Sequence, residues 1–425
     1  MSISSRDSKY IWHPYTQAGS SGKTIAIVKG EGAAVHDEKG KRYIDAVSSW
    51  WTNLHGHSHP HIAKKIAEQA TKLEHILFAG FTHEPAVSLA ERLLKILPAG
   101  QERIFYSDNG STAVEVALKM AFQYWSNKGE KRDKVIAFRN AYHGDTFGAM
   151  SVSGRGAFTK PFHDLLFDVF FIDAPVTGNV NDPISEVKGQ ISEHGSGISS
   201  FIFEPLVQGT AGMQIHTADL LSEMITLCKK NGILTIADEV MTGFGRTGKM
   251  FASELLSVQP DIICLSKGIT GGAMPLGVTS CTKSIFDAFL SGDKMKTFFH
   301  GHSYTANPLA CAAANASLDI FENENVFERI EMITKCQSVF ASILRGNAKI
   351  AAVRNLGTIL AFDLATPGGS SYFSPIRDRA YDFFIERGII LRPLGNTIYV
   401  MPPYCITESD LNYIYEQISE FLLIC

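Results

Sequence analysis

Residues 235–272 read TIADEVMTGFGRTGKMFASELLSVQPDIICLSKGITGG, and this stretch decides the fold. It contains two short apolar runs, one leading into Asp238 and the other into Lys267. Apolar runs bounded by turn residues are typical of parallel strands that are covered on both faces. The two charged residues are 29 positions apart, which is enough for one strand-helix-strand unit. We therefore expect them to meet where two strands end, since ligands of such sheets bind at the carboxyl edge.

A lysine and an aspartate brought together in this way are the pair that a pyridoxal phosphate (PLP) enzyme needs. The lysine binds the cofactor covalently, and the aspartate holds its pyridine nitrogen protonated. The stretch therefore predicts PLP as the cofactor, with Lys267 and Asp238 as its central catalytic residues.

The composition is that of an ordinary globular protein. Its 425 residues include 39 Lys and Arg against 43 Asp and Glu, so there is no basic excess to attract nucleic acid or an acidic membrane. The seven cysteines form no C-x-x-C pair, which argues against a disulfide framework or a metal cage and favours a reducing cytoplasm. We see neither a signal peptide nor a membrane-spanning run, and we expect a soluble, unprocessed, cytoplasmic protein with small-molecule substrates.

The middle of the chain alternates strand and helix patterns. Helical spacing separates several of the strand candidates, for example at Ser111 to Trp125 and at Asp219 to Lys230. This pattern predicts an α/β domain with a large, mainly parallel, seven-stranded sheet. The seven strand candidates are residues 103–107, 134–138, 168–173, 200–204, 233–238, 261–266 and 276–281.

The two ends of the chain differ from the middle. Residues Ile25 to Ala46 resemble a small antiparallel meander, and a long helical segment begins after Asn307-Pro308. From Val353 onward, short strands mix with helices. We predict a large domain over residues 56–310 and a smaller α+β domain, built from residues 1–55 and 311–425.

Two further features lie after predicted strands. The turn before the helix at Ser111 contains Gly110, and the free N–H groups of that helix start would suit a phosphate. The alternative is a plain helix cap by Ser111 or Asp108. Tyr142 follows the strand at 134–138, where its ring could cover one face of a flat cofactor. The alternative is a tyrosine at the rim of the core.

Two other kinds of site remain open. Residues 243–248 read GFGRTG, which is literally the G-x-G-x-x-G pattern of dinucleotide binding, although two acidic residues separate it from the strand. Residues 55–61 read HGHSHPH, with histidines at alternate positions that could share a face as zinc ligands do. No carboxylate or cysteine accompanies them, so a polar loop with structural histidines is the alternative.

The chain resembles the fold-type I, class III PLP-dependent aminotransferases over nearly its whole length. The resemblance is carried by ADEVMTGFGRTG at 237–248 and CLSKG at 264–268. It is strongest to the members of the family that act in biotin biosynthesis. The further segments that carry it are IWHPYT at 11–16, SSWW at 48–51, YHGDTFGAMS at 142–151, NPLACAAANASL at 307–318 and MPPY at 401–404.

This resemblance implies transamination of 8-amino-7-oxononanoate to 7,8-diaminononanoate, with S-adenosylmethionine as the expected amino donor. Lysine as the donor, or an ω-amino acid or diamine aminotransferase, is the alternative. It also implies roles for individual residues. Lys267 would hold the cofactor and move a proton, Asp238 would pair with the pyridine nitrogen, Gly110 and Ser111 would bind the phosphate, and Tyr142 would stack on the ring.

The resemblance implies a substrate pocket as well. Arg392 would bind the substrate carboxylate, because a guanidinium binds carboxylates bidentately; a surface salt bridge is the alternative. Family members are homodimers with shared active sites, and the loop Phe299 to Ser303 matches the part that reaches across. His302 and Ser303 stand there where the best-known members have proline and threonine. The implied substrate-binding residues are Tyr15, Trp50, Tyr142, Lys267, Gly301 and Arg392, and His302 and Ser303 would complete the cofactor site.

Overall fold

A computed structural model describes residues 2–19, 24–176, 182–366 and 373–425. Its helices are α1 (Ile3–Tyr10), α2 (Ser48–Trp51), α3 (Pro60–Ala70), α4 (Glu84–Ile96), α5 (Gly110–Asn127), α6 (Phe147–Ser151), α7 (Pro183–His194), α8 (Ala218–Lys230), α9 (Lys283–Asp287), α10 (Pro308–Asn323), α11 (Val326–Leu344), α12 (Pro375–Glu386) and α13 (Glu408–Ile424). Its strands are β1 (Ile27–Glu31), β2 (Ala34–Asp37), β3 (Arg42–Asp45), β4 (Gln101–Ser107), β5 (Lys134–Phe138), β6 (Val169–Ile172), β7 (Ile198–Phe203), β8 (Val207–Gln208), β9 (Gln214–Ile215), β10 (Leu234–Asp238), β11 (Ile262–Leu265), β12 (Gly277–Thr282), β13 (Ile350–Leu356), β14 (Ile359–Leu364), β15 (Ile389–Ile390) and β16 (Thr397–Val400).

The predicted large sheet is confirmed. It has seven strands in the order β4-β12-β11-β10-β7-β5-β6, and each corresponds to one of the seven sequence candidates. Strands β11, β10, β7, β5 and β6 are parallel, and β12 runs antiparallel to both of its neighbours. The segment between β11 and β12 contains only the short 3-10 turn Lys267–Thr270, which is too little chain for the crossover that a parallel connection requires.

This topology decides where the site forms. Strand β12 runs opposite to β11, and β4 runs opposite to β12. Strand β4 therefore points in the same direction as the five parallel strands. The carboxyl ends of β4, β5, β7, β10 and β11 therefore share one edge of the sheet, and the loops that follow them lie next to one another.

The two chain ends join in space. The meander β1-β2-β3 gains β15 as a fourth strand, with Ile389 paired in parallel to Ile44. A separate antiparallel sheet, β13-β14-β16, is packed against α11. The proposed boundaries at 55 and 310 stay a prediction. Across the described segments, no helix combines the length and apolar character needed to cross a bilayer.

The helical segment after Asn307-Pro308 differs from the expectation of one long helix. It consists of α10 and α11, which are separated by Glu324 in an extended conformation (φ −122°, ψ 131°). Helix α10 packs against α3 and α4, whereas α11 packs against β13 and β14, so the chain must change direction between them. Asn323 and Asn325, on either side of Glu324, are poor helix formers, and the break between the two helices falls at this point.

Candidate active site

A cavity of about 610 Å³ opens at the shared carboxyl edge of the large sheet. The loops after several different strands contribute to its walls, so residues far apart in the chain meet there. The residues that line it include Asp238 at the end of β10, Lys267 after β11, Glu204 after β7, Tyr142 and His143 after β5, and Gly110 and Ser111 after β4. The sequence prediction that Asp238, Lys267, Tyr142, Gly110 and Ser111 come together is met by this geometry.

The Asp238 carboxylate is buried and held from two sides. Its Oδ1 accepts a hydrogen bond from the backbone N–H of Val240 at 3.1 Å, and its Oδ2 lies 2.7 Å from Nδ1 of His143. His143 is itself buried, and the described residues offer no hydrogen-bond partner to its Nε2. The carboxylate is therefore held in a fixed orientation at the wall of the cavity.

The Lys267 amine lies in the same cavity. Burial lowers its pKa to about 8, and the nearby carboxylates of Asp238 and Glu204 only partly oppose this effect. Its Nζ is 4.6 Å from the ring centroid of Trp51. A lysine of this kind is partly neutral near physiological pH and can act as a nucleophile and a base.

Glu204 is a buried carboxylate that the sequence analysis did not single out. Its Oε1 accepts from the Tyr142 N–H at 3.1 Å and its Oε2 accepts from the Gly209 N–H at 2.9 Å. Burial raises the pKa of Glu204 to about 7; His143 opposes the shift and Asp238 adds to it. The available signal was its position as the last residue of the predicted strand 200–204, at the carboxyl edge.

The start of α5 forms a cradle of small residues. Asn109 caps the helix by accepting from the Thr112 N–H at 3.0 Å, so a cap by Ser111 or Asp108 was wrong. A side chain at Gly110 would place its Cβ 2.7 Å from Cγ1 of Val240. The free N–H groups at this helix start are available to an anion such as a phosphate.

Aromatic rings surround the mouth of the cavity. The hydroxyls of Tyr15 and Tyr142 are 3.3 Å apart, and both donate to the carboxylate of Asp145. Burial raises the pKa of the Tyr142 hydroxyl above its usual value. The Tyr15 ring is 5.7 Å from that of Trp50, so the group extends outward from the cavity.

Arg392 lies at the outer end of this aromatic group. Its guanidinium is 4.3 Å from the ring centroid of Trp50. Within the described ranges no carboxylate forms an ion pair with it, in contrast to the alternative of a surface salt bridge. A stacked arginine without an anionic partner is suited to binding a carboxylate from outside the chain.

The segment Ser48–Trp51, which we call the tryptophan turn, has an unusual backbone. Ser48, Ser49 and Trp51 have positive φ values of 52°, 60° and 66°. Each such residue costs on the order of 1–3 kcal/mol, so the surroundings must hold the turn in place. The indole N–H of Trp51 donates to the Tyr399 hydroxyl at 3.0 Å, and the Ser48 hydroxyl donates to the Met401 carbonyl at 2.8 Å.

The loop Phe299 to Ser303 lies away from the cavity of its own chain. The Lys119 Nζ donates to Nδ1 of His300 at 3.0 Å, and the Tyr304 N–H donates to Nδ1 of His302 at 3.2 Å. Gly301 and Ser303 are exposed. Three of the predicted site residues, Gly301, His302 and Ser303, are therefore not brought into this site within one chain.

The glycines at 243–248 form no dinucleotide loop. They lie in a turn after β10, and the next element is the 3-10 turn Ala252–Leu255. The turn therefore does not lead into the α-helix that a dinucleotide-binding loop needs. The turn places Arg246, fully buried, where it donates to the carbonyl oxygens of Trp51, Asn53 and Pro402 at 3.0–3.4 Å. Arg246 thus joins the tryptophan turn to the C-terminal part of the chain.

The four histidines of residues 55–61 face four different partners. His55 Nε2 lies 3.0 Å from the Ser317 hydroxyl, and the other three each approach a separate carboxylate. These carboxylate pairs are His57 with Asp45, His59 with Glu324 and His61 with Asp319. The arrangement supports structural histidines and not a shared metal site.

The fold and the cavity define a class of enzyme. Residues 15–422 match the family model for class-III aminotransferases, and the chain belongs to this family. It is an aminotransferase, and its cofactor is PLP. Here the residues fit the cofactor: a lysine with a lowered pKa, a fixed buried carboxylate and an anion cradle open into one cavity.

Two relatives show which aminotransferases the chain is similar to within this family. The chain is 46% identical to the adenosylmethionine-8-amino-7-oxononanoate aminotransferase of Synechococcus elongatus, over 97% of this chain and 98% of the relative. The enzyme of the same name from Geobacter sulfurreducens is 40% identical, with 97% and 96% covered.

Solved structures agree with these sequence matches. The enzyme of that name from Methanocaldococcus jannaschii superposes with a TM-score of 0.92 at 38% identity, with 98% of each chain covered. A PLP-bound amine transaminase from an uncultivated Pseudomonas species superposes with a TM-score of 0.90 at 33% identity, with 98% of this chain and 99% of that chain covered.

Proposed function

We propose that the protein transfers an amino group to the ketone of 8-amino-7-oxononanoate and produces 7,8-diaminononanoate for biotin biosynthesis, with S-adenosylmethionine as the donor. The observation that carries the proposal is Arg392, which is stacked on Trp50, has no anionic partner among the residues that the structure describes, and is linked through Tyr15 to the cavity that holds Lys267 and Asp238. An acceptor with a ketone near one end and a carboxylate at the other suits such a site. The relatives at 46% and 40% identity carry this activity in their names.

The residues of the cavity divide the chemistry among them. When bound, PLP supplies an electron sink for the carbon that loses or gains a proton. Lys267 would hold the cofactor through its Nζ, and once the amine of the substrate had displaced it there, the released Nζ would accept that proton and return it. Asp238, held by His143, would keep the pyridine nitrogen protonated. Gly110 and Ser111 would bind the phosphate at the start of α5, and Tyr142 would cover the ring.

The outer residues select the substrate. Arg392 binds the carboxylate of 8-amino-7-oxononanoate, and the Trp50 ring holds the guanidinium in place. Tyr15 and Tyr142 are donors to Asp145 at the mouth, and their aromatic faces line the path of an aliphatic chain. Lys267, with Tyr142 beside it, meets the reacting end of the substrate.

We also propose that the enzyme is a cytoplasmic homodimer with shared active sites. Gly301, His302 and Ser303 lie outside the cavity of their own chain, which is what a loop that completes the partner's site requires. Ser303 can donate to a phosphate through its hydroxyl. Cross-linking or sedimentation of the holoenzyme would measure the dimer, and a monomer with full activity would contradict this part of the proposal.

The second candidate is an amine, ω-amino acid or diamine aminotransferase, favoured by the structural match to the Pseudomonas amine transaminase. It would use the same Lys267 and Asp238. An amine or a diamine gives no reason for an arginine that is stacked on Trp50 and has no anionic partner among the described residues, because neither substrate has a carboxylate for Arg392 to bind. An ω-amino acid does have one, so only the substrate test separates it from 8-amino-7-oxononanoate.

The test offers 8-amino-7-oxononanoate to the purified holoenzyme with S-adenosylmethionine, lysine, glutamate and alanine in turn. We expect diamine formation with S-adenosylmethionine. Formation with lysine alone would correct the donor, whereas a reaction only between simple amines and pyruvate would replace this function by the second candidate.

The variant Lys267→Ala tests the proposed role of Lys267 in binding the cofactor and in turnover. This variant should remain folded, lose turnover, and no longer be labelled when PLP and borohydride are added. Lys283→Ala is the control, since Lys283 is an exposed lysine that pairs with Asp287 far from the cavity.

A further inference from the structure

Asp45 is a completely buried carboxylate at the end of β3, and it lies outside the cavity. Its Oδ1 accepts from the Val47 N–H at 3.2 Å. Its Oδ2 accepts from both the N–H and the hydroxyl of Ser49, at 2.6 Å and 3.2 Å. Val47 directly precedes the tryptophan turn and Ser49 lies within it, so Asp45 bonds to the backbone that carries Trp50 and Trp51.

His57 is the other partner of this carboxylate. Its Nε2 lies 2.9 Å from Oδ2 of Asp45, and its Nδ1 lies 3.4 Å from the side-chain amide nitrogen of Asn53. An amide nitrogen only donates, so Nδ1 is the acceptor and Nε2 carries the hydrogen that Asp45 receives. The histidine is therefore oriented to donate to Asp45.

The position of His57 is fixed by the meander. Its backbone N–H donates to the Gly32 carbonyl at 2.7 Å. A side chain at Gly30 would place its Cβ 2.6 Å from Cβ of His57, so the ring occupies space that only a glycine leaves open. The pair of Asp45 and His57 thus connects the tryptophan turn to the meander, so that the position of the turn depends on the position of the meander.

The turn cannot hold its conformation by itself. It has three residues with positive φ and no glycine, and such residues persist only where the surroundings determine them. Its two tryptophans contact two different cations. Trp50 carries the guanidinium of Arg392 at 4.3 Å, and Trp51 lies 4.6 Å from the Lys267 amine.

We propose that Asp45 and His57 form a positioning pair, which holds the strained tryptophan turn and so sets the place of Trp50 beneath Arg392 for binding of the substrate carboxylate. The inference rests on the proposed role of Arg392 and Trp50 in substrate binding. It gives a function to one of the four histidines of residues 55–61.

The test compares two replacements of His57 in the holoenzyme. His57→Leu removes the donor to Asp45, and we expect the KM for 8-amino-7-oxononanoate to rise about tenfold while kcat stays within about threefold. His57→Gln keeps an N–H donor and should recover a KM close to that of the unmodified protein. His61→Leu is the matched control, because His61 also pairs with a carboxylate, Asp319, but does not touch the turn.

A second measurement needs no substrate. Near-ultraviolet circular dichroism of the holoenzyme reports the environment of the tryptophans, and His57→Leu should change it while His61→Leu should not. If 8-amino-7-oxononanoate is not a substrate at all, the proposed function fails, but this spectrum still tests the pair. An unchanged spectrum and an unchanged KM in folded His57→Leu would overturn the inference, and so would equal effects from His61→Leu.

Asp45→Asn covers the case in which His57→Leu does not fold. The amide has the same shape but turns a donor either toward the Val47 N–H or toward both Ser49 and His57, so a rise in KM and a spectral change of the same kind are expected. A folded Asp45→Asn enzyme with the KM and spectrum of the unmodified protein would also overturn the inference.

Discussion

Nδ1 of His143 lies 2.7 Å from Oδ2 of Asp238, and the two residues, 95 positions apart in the chain, are both buried beneath the cavity. The contact joins the loop after β5 to the end of β10. Because the Val240 N–H donates to the other oxygen, hydrogen bonds within the protein hold both carboxylate oxygens in place. A group that must keep a cofactor nitrogen protonated through a whole reaction needs this kind of support.

Replacement of that carboxylate tests its role. Asp238→Asn should lower kcat/KM by about a hundredfold, since loss of a charged hydrogen bond of about 3 kcal/mol corresponds to that factor. The spectrum of the bound cofactor should change as well. Steady-state kinetics and absorption spectra measure both effects.

Asp261→Asn is the control for this prediction. Asp261 bonds to Thr235 at the opposite end of the sheet, so its loss should lower stability and leave kcat/KM nearly unchanged. An Asp238→Asn enzyme with ordinary kcat/KM would contradict the role of the carboxylate.

The lowered pKa of Lys267 predicts how reconstitution depends on pH. Only the neutral amine reacts with PLP, and burial brings the pKa of the lysine down from 10.5 to about 8. The rate at which the apoenzyme gains covalently bound cofactor should therefore rise with pH and level off above about 8. A stopped-flow or borohydride-trapping series measures it. A rate that keeps increasing up to pH 10 would show an ordinary lysine.

Arg392→Leu tests carboxylate recognition. The KM for 8-amino-7-oxononanoate should rise by about tenfold to a hundredfold, because a charge-assisted pair contributes about 1.5–3 kcal/mol. An amine substrate without a carboxylate should react as before. Arg387→Leu is the matched control, since Arg387 is also stacked on a ring, that of Phe383 at 3.5 Å, and not on Trp50.

Gly110→Ala tests the cradle at the start of α5. The new Cβ would lie 2.7 Å from Val240, so we expect weaker PLP binding, measured as a higher dissociation constant of the cofactor. Gly189→Ala is the control in the interior of α7, where a Cβ meets nothing within 4 Å. That variant should gain up to about 1 kcal/mol of stability with unchanged cofactor affinity.

Some features of the site followed from local pattern. The seven strands of the large sheet and the ends of β10 and β11 at Asp238 and Lys267 could be read from the sequence, because a buried parallel strand needs a continuous apolar run and its end is marked by polar residues. The small residues around Gly110 were visible for a similar reason. These signals depend on a few consecutive residues.

Other features depended on contacts between distant segments. Glu204 became notable only because the loop after β7 points it at the Tyr142 backbone, and His143 only because β5 and β10 lie on either side of β7. The break between α10 and α11 reflects what each helix packs against. No periodicity in the sequence encodes these pairings.

The sequence by itself determined the strands and placed Lys267 and Asp238 at the ends of two of them, since each strand is specified by residues that are next to one another in the chain. Only the tertiary structure decided how that pair is supported. The bond from His143 to Asp238, the stacking of Arg392 on Trp50, and the buried contact of His57 with Asp45 all join separate elements. Their free energies arise from burial and orientation, which exist only after the elements have packed together.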